Sequence, residues 1–306
     1  MMTIDSILEK LPISVLDCMF DVYHQTVLQG RYKELLDYYE DNNAEDDWLA
    51  KDIRKRKTID VFYGDWTYKY ERKRYLIKQR KSGLYVMHRC LDGNKRRMFF
   101  KDEMKRGFAE FYYRGLMKEQ DAESPHCYLN EDIVSVLMEK PKGIVLDIGA
   151  AEGIFALHLS GLYRKCYMFE PEKSWIHALK KTFKGRSGDI GIVPKFVSDE
   201  PGNNTVTIDS FFGDSIPRDI SVIKMDIEGF EPAALRGMKR TLETNPDAIL
   251  LVCAYHNKDD EQKIRDIVEP MGYEVKPHNG YMFFWTAKDF APPYKRRGVL
   301  EIRKRR

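Results

Sequence analysis

The chain has few of the features that would place it outside ordinary globular proteins. Its five cysteines (Cys18, Cys90, Cys127, Cys166 and Cys253) are odd in number, widely scattered and without a C-x-x-C pair. That pattern argues against a zinc site or a disulfide framework and reads as reduced thiols. Long apolar runs are also missing. The longest, 248–255, falls far short of the roughly 18 residues that span a membrane, and Met1-Met-Thr-Ile-Asp-Ser has neither the basic start nor the apolar run of a secretion signal. A soluble, cytoplasmic protein is expected. Internal repeats and low-complexity segments are absent too. With 306 residues, 43% hydrophobic and 32% charged, wholesale disorder is excluded, and one large domain or two modest ones are expected.

A strong overall charge is likewise lacking, since the formal net value is +3. Its distribution, however, is uneven. Residues 51–106 hold 19 Lys/Arg against 7 Asp/Glu, and residues 291–306 hold 7 against 1, so the remainder is strongly acidic. Segregation of this kind marks either a solvated face or attraction to a polyanion: nucleic acid, a phosphorylated sugar carrier or an anionic membrane surface.

Three regions follow from the patterning. In 1–120, apolar residues at three-to-four spacing (Ile7, Leu8, Leu11, Val15, Leu16, then Tyr32, Leu35, Leu36, Tyr39) predict amphipathic helices. Segments 70–80, 84–89 and 98–100, separated by Ser82-Gly83 and Asp92-Gly93, predict a small antiparallel β element. Asp102 and Glu103 are the acids expected in the first turn of a helix running on through Met117. In 121–290, apolar strands at 144–148, 166–169, 192–197, 220–225 and 249–255 alternate with helical stretches at 154–162, 175–183, 233–242 and 264–271. Such alternation means βαβ units and a mostly parallel sheet covered on both faces. Segments 273–276 and 281–286, joined across Asn279-Gly280, predict an antiparallel hairpin at its edge. Residues 291–306 read as a mobile basic tail.

The sharpest motif is Asp147-Ile-Gly149-Ala150-Ala-Glu152-Gly153, directly after an apolar strand and before a helix. Glycines at such a turn let a ligand lie against the backbone. The G-x-G-x-x-G of dinucleotide enzymes is absent, and Asp147 stands in place of its first glycine. A carboxylate there disfavours a pyrophosphate but suits the sulfonium and amino group of S-adenosylmethionine. The second strand ends at Glu170, an acid able to accept hydrogen bonds from ribose hydroxyls. The third ends in Ser198-Asp199, suited to the adenine edge.

Together with Val206-Thr-Ile-Asp209 and Ile223-Lys-Met-Asp226-Ile-Glu228-Gly-Phe-Glu231-Pro-Ala-Ala-Leu-Arg-Gly237, these segments resemble the FkbM-type methyltransferases over roughly residues 124–286. The resemblance implies a class I methyltransferase fold, a Rossmann-like, doubly wound α/β architecture with a seven-stranded sheet. It also implies S-adenosylmethionine as donor and O-methylation of a sugar or secondary metabolite. Residues 1–123 match nothing in that family, and 1–120 are expected to form an accessory region for acceptor specificity or oligomerisation.

Deprotonating a sugar hydroxyl calls for a base or a divalent cation. Asp226 and Glu228, spaced i, i+2 at the fourth strand's end, fall on one side if the strand stays extended, and His256 ends the next strand. They read as a base with its orienter or as a hard-metal site, against a bland reading in which Glu228 and Glu231 favour a helix start and His256 caps a loop. His126, in Ser124-Pro125-His126, is an alternative base. Tyr128, Tyr255, Tyr281 and Trp285 are candidates to stack on a sugar, with core roles the better expectation for Phe284 and Trp285. The function expected is O-methylation of a sugar hydroxyl in a surface polysaccharide or glycan precursor, the basic segments meeting an anionic lipid carrier or membrane surface. Tyr63, Trp66, Tyr68, Tyr70 and Tyr75 within the basic stretch leave methylation of RNA or another nucleic acid as an alternative, although Asp226-Ile-Glu-Gly replaces the Asp-Pro-Pro-Tyr of amino-methyltransferases. A third reading is a non-catalytic nucleotide- or polyanion-binding protein.

Overall fold

The computed structural model describes residue 15 and residues 28–42, 47–139, 142–185 and 189–305. The helical pattern expected over 1–27, with Cys18 and His24, therefore lies outside the described residues apart from residue 15, which is helical.

Seven strands form the main sheet: β4 (Ile144–Ile148), β5 (Lys165–Phe169), β6 (Ile190–Val193), β9 (Ile220–Met225), β10 (Ile249–Cys253), β11 (Tyr273–Pro277) and β12 (Val299–Lys304). Their order is β11-β12-β10-β9-β4-β5-β6, parallel from β10 to β6, with β12 antiparallel to both β10 and β11. This is the class I methyltransferase fold. Every residue of β4 and β10 is buried, as expected of parallel strands covered on both faces, and alternate side chains feed two cores. Val145, Met168, Val222 and Leu251 face one; Leu146, Phe169, Ile223 and Leu250 face the other.

The crossovers are helical: α6 (Ile154–His158), α7 (Lys173–Thr182), α8 (Ile208–Phe212), α9 (Glu231–Arg236), α10 (Lys239–Thr244) and α11 (Asp260–Val268). Two crossover segments expected to be single elements are broken. The helix predicted at 233–242 divides into α9 and α10 around Gly237, where an added Cβ would meet the Ser198 carbonyl oxygen at 2.2 Å. The third strand divides into β6 and the short β7 (Phe196–Val197), which pairs with β8 (Thr205–Val206).

The accessory region contributes α1 (Gln29–Asn42), α2 (Asp47–Arg56), α3 (Tyr68–Glu71), the antiparallel strands β1 (Lys78–Arg80), β2 (Gly83–Arg89) and β3 (Lys95–Phe99), and α4 (Arg106–Glu119); α5 (Glu131–Glu139) leads into β4. The strand predicted from residue 70 begins only at Lys78, because 68–71 is helical. Asp102 and Glu103 precede α4 rather than open it; Asp102 instead pairs with Lys181 and His177. Phe62, Ile77, Val86, Met98 and Phe100 of this region share one core with Val145 and Met168 of the main sheet.

The largest correction concerns the end of the chain. Residues 281–286 form no strand beyond an isolated bridge from Met282 to Arg296, and the strand beside β11 comes from the segment read as a mobile tail. Val299, Leu300 and Ile302 are fully buried in β12 between its neighbours. Basic flanks obscured this short apolar run in the sequence. Among the described residues, no helix is long and apolar enough to cross a membrane. Cys90, Cys127, Cys166 and Cys253 are buried, and no disulfide joins any of them.

Candidate active site

Ligand sites in doubly wound sheets lie outside the carboxyl ends of the strands, where the crossovers diverge. Here that position holds the turn after β4. Gly149 (φ 77°) and Gly153 (φ 78°) adopt left-handed backbone, and an added Cβ on Gly149 would sit 1.8 Å from the Asp226 carbonyl oxygen. Only glycine fits there. Glu170 fixes the same turn: its Oε2 accepts the Ala151 N–H at 2.9 Å and its Oε1 accepts the Glu172 N–H at 2.7 Å. Burial pushes this carboxyl up.

A cleft of about 300 Å³ opens beside the turn, lined by Gly149, Phe169, Phe196, Ser198, Ile227 and Phe230 among others. Phe196 and Phe230 are exposed aromatics at its sides. Of the residues expected to bind a nucleotide, Gly149 and Ser198 line it, and Glu170 adjoins it between the lining residues Phe169 and Pro171. Ala150, Glu152 and Gly153 shape the turn. Asp199 is not among the lining residues: it pairs on the surface with Arg236 at 2.8 Å, which holds its carboxyl low.

Asp147 departs further from expectation. It is fully buried, and Oδ1 lies 3.3 Å from Lys224 Nζ, which also donates to the Gly149 carbonyl. A carboxylate under the turn and held by a lysine is not open to a sulfonium. It anchors the turn. Burial raises Asp147, against the lowering pull of Lys224; burial lowers Lys224, but Asp147 and Asp226 more than restore it. Lys224 was missed because it stands inside an apolar strand. A lone cation among Val222, Ile223 and Met225 needs a buried partner, and that was the available signal.

Asp226 follows β9 at the centre of a dense cluster. Tyr128 Oη donates to its Oδ2 at 2.6 Å and Tyr255 Oη to its Oδ1 at 3.3 Å. His126 Nε2 lies 3.6 Å from Oδ2, and His256 Nε2 lies 3.4 Å from Oδ1. Burial alone would raise the Asp226 carboxyl, but His126, Lys224 and His256 overcome it and hold the group far below the usual carboxylate range. His256 shows the converse. Burial opposes its charge, yet Glu231 Oε1 at 3.2 Å from Nδ1, with Asp226 and Glu228, raises it to about 9. This raising favours its charged form, which counts against its reading as a base. Glu228 also departs from expectation. The strand ends at Met225 and Glu228 turns to φ 57°, so its carboxylate is exposed and reaches His256 Nε2 at 3.6 Å rather than lying alongside Asp226.

Two groups of side chains in this cluster have the spacing of metal ligands, His126/Asp226/Cys253 and Asp226/Glu231/His256. Among these five ligand-type residues, Asp226 has the most accessible side chain at 20% exposure, against 5% for each of His126 and His256.

A second cavity, about 540 Å³, lies on the accessory side and is lined by Asp60, Tyr70, Tyr112, Lys118, Glu119 and Trp285 among others. Tyr112 joins it to the glycine turn by donating to Glu152 Oε2 at 2.7 Å; burial, eased by that bond, pushes Glu152 up to about 7. Glu119 is raised by burial and by the Asp226 charge, while His126 opposes the shift. Trp285, expected in the core, is half-buried on this wall, whereas Phe284 packs edge-on against Tyr255 with ring centroids 5.0 Å apart. Sequence spacing gave no hint of Tyr112 or Glu119, because the accessory chain carries no recognisable motif there.

No curated protein matches the chain. Among solved structures it is similar to precorrin-6y C5,15-methyltransferase from Geobacter metallireducens GS-15, at 13% identity over 56% of this chain and 86% of that one, TM-score 0.37. It is also similar to magnesium protoporphyrin IX methyltransferase from Synechocystis PCC 6803, at 14% identity over 65% and 86%, TM-score 0.39. An rRNA methylase from Streptococcus thermophilus gives 14% identity over 56% and 93%, TM-score 0.39. The segment that runs from the end of α5 into β11, with the glycine turn, Glu170, Asp226 and His256, matches a family model, the Methyltransferase FkbM domain, over residues 137–275.

Proposed function

We propose that the protein is an S-adenosylmethionine-dependent O-methyltransferase that methylates a sugar hydroxyl of a polysaccharide or glycan precursor. The observation that carries the reading is the position of Asp226. Its backbone closes over Gly149 at the donor cleft, and its carboxylate accepts from Tyr128 and Tyr255 and lies 3.6 Å from His126.

The donor cleft fits the adenosine half of such a ligand. Its walls are apolar and aromatic, as an adenine ring requires, and each Glu170 oxygen, with one backbone N–H bonded, keeps a lone pair for a ribose hydroxyl. When bound, the donor supplies a methyl group on a positive sulfur, which leaves as a neutral thioether when the methyl passes to the acceptor oxygen.

The chain's own residues position the acceptor and take its proton. The second cavity offers the aromatic faces of Tyr112 and Trp285 and the polar groups of Asp60, Lys118 and Glu119, a combination that suits a sugar. Asp226, with 20% of its side chain exposed, accepts the hydroxyl hydrogen and orients the oxygen. It is too acidic to keep a proton, so His126, behind Oδ2, receives it. His256 stays cationic and holds Asp226 in place. A divalent ion on Asp226, Glu231 and His256 would have to displace the His256 proton, and the route through His126 does without one.

The test is calorimetry with S-adenosylmethionine and S-adenosylhomocysteine, followed by methyl transfer to a panel of glycans and, in parallel, RNA. Transfer to a glycan hydroxyl supports the reading. Transfer to RNA alone overturns the acceptor class.

A further inference from the structure

The basic excess of residues 51–106 has no role in the methyl-transfer site, and the fold gathers part of it elsewhere. In β1–β2–β3 the register pairs Lys78 with Tyr85, Tyr85 with Phe99, Met87 with Arg97 and Arg89 with Lys95. Directly paired residues share a face, so Arg80, Lys95 and Arg97 project from the same side as Tyr85, Met87 and Phe99. The opposite side, with Val86 and Met98, enters the core. Alternation therefore sends Arg80, Lys95 and Arg97 outward, while Arg96 starts from the other side, opposite His88.

The end of α7 meets this face, and Thr182 Oγ1 accepts the Phe99 N–H at 2.9 Å. Between them lies a cleft of about 610 Å³ lined by Arg80, Lys95, Arg96, Arg97, Lys181 and Lys184, over a floor that includes Met87, Phe99 and Leu157. No Asp or Glu lines it. Two of the six cations have acid partners at hand: Arg96 pairs with Asp92, and Lys181 with Asp102. Lys181 and Lys184 also answer the negative end of α7. Arg80 and Arg97 have no ion pair among the described residues, and both guanidinium groups stand 5.8 Å from the Tyr85 ring. Holding like charges together is unfavourable unless an anion joins them, and guanidinium forks suit phosphate oxygens.

We propose that this cleft binds a phosphoryl group, as a phosphate or diphosphate ester whose apolar or sugar portion rests on the Met87, Phe99 and Leu157 floor. The site is separate from the donor cleft and does not depend on the methyl-transfer reading. Its phosphate comes either from a soluble ester or from a lipid headgroup.

The probes are pyrophosphate by calorimetry and flotation on phosphatidylcholine vesicles with or without phosphatidylglycerol, using the full chain. Wild type should bind at least one of them. Arg97→Glu should weaken that binding at least about tenfold, the loss expected for one charge-assisted contact, while Lys276→Glu, the same charge change on the exposed far edge of the sheet, should not. Pyrophosphate binding marks a soluble ester as the source; vesicle binding alone marks a lipid headgroup. Should Arg97→Glu lower the unfolding midpoint, Arg80→Gln with Lys95→Gln serves in its place. Failure of wild type to bind either probe overturns the proposal, as does equal weakening by Lys276→Glu, which would mean that only overall charge matters.

Discussion

The proposed donor side and the proposed acceptor side of the candidate active site are built in different ways. The donor side is backbone: a glycine turn pressed against the Asp226 carbonyl, with Glu170 bonded to two N–H groups and Asp147 locked to Lys224. The acceptor side consists of side chains brought from Asp60, Tyr112, Glu119 and Trp285, far apart in the sequence. Backbone cradles tolerate almost no change in shape, whereas a side-chain wall can be altered one group at a time. Within one fold, the first suits a fixed ligand and the second a variable one.

Asp226 sits on the seam, so its replacement should have the largest effect. Asp226→Asn should lower turnover about 10²–10⁴-fold, the usual worth of proton-transfer assistance, while donor affinity measured by calorimetry changes only a few-fold. Loss of donor binding instead would move Asp226 wholly to the donor side. Gly149→Ala probes the cradle itself. Strain at φ 77° and the 1.8 Å clash should cost about 2–4 kcal/mol in denaturant unfolding and abolish donor binding.

His256 links the two sides through pH. Its folded value of about 9 lies above the ordinary 6.5, so the stability it contributes is complete below pH 6.5 and disappears as pH rises through about 9. Urea midpoints should fall across that window by up to about 3 kcal/mol in wild type, and Glu231→Gln should flatten the slope. An unchanged slope would show that Glu231 does not hold the proton there.

These effects also show what could be read from the sequence. The placement of the glycine turn and its neighbours was legible, because they sit in short motifs at strand ends: 147–153, Glu170, Ser198 and Asp226 all lie where the βαβ alternation predicted. What it hid was pairing. Asp147 and Asp199 were read as ligand groups without the ion pairs that Lys224 and Arg236 make with them, because pairs between distant segments leave no trace in local spacing. The charge of His256 depends on Glu231 for the same reason. The order of the sheet was misread at one place, where basic neighbours masked the apolar run of β12. The acceptor wall was illegible because its residues come from segments joined only by folding.

Smaller effects should separate the sides further. Trp285→Ala should raise the acceptor KM about tenfold, the worth of one lost stacking face, with donor affinity unchanged. Phe196→Ala, at an exposed position beside the donor cleft, should weaken donor binding only about threefold and leave the acceptor KM alone.

The most direct test of the central claim is calorimetric titration of S-adenosylhomocysteine into wild type, Glu170→Ala and Trp285→Ala, with unfolding midpoints recorded for each. One site per chain in wild type and in Trp285→Ala, lost in a folded Glu170→Ala, is the predicted result. No binding to wild type, or binding unchanged by Glu170→Ala, would contradict it.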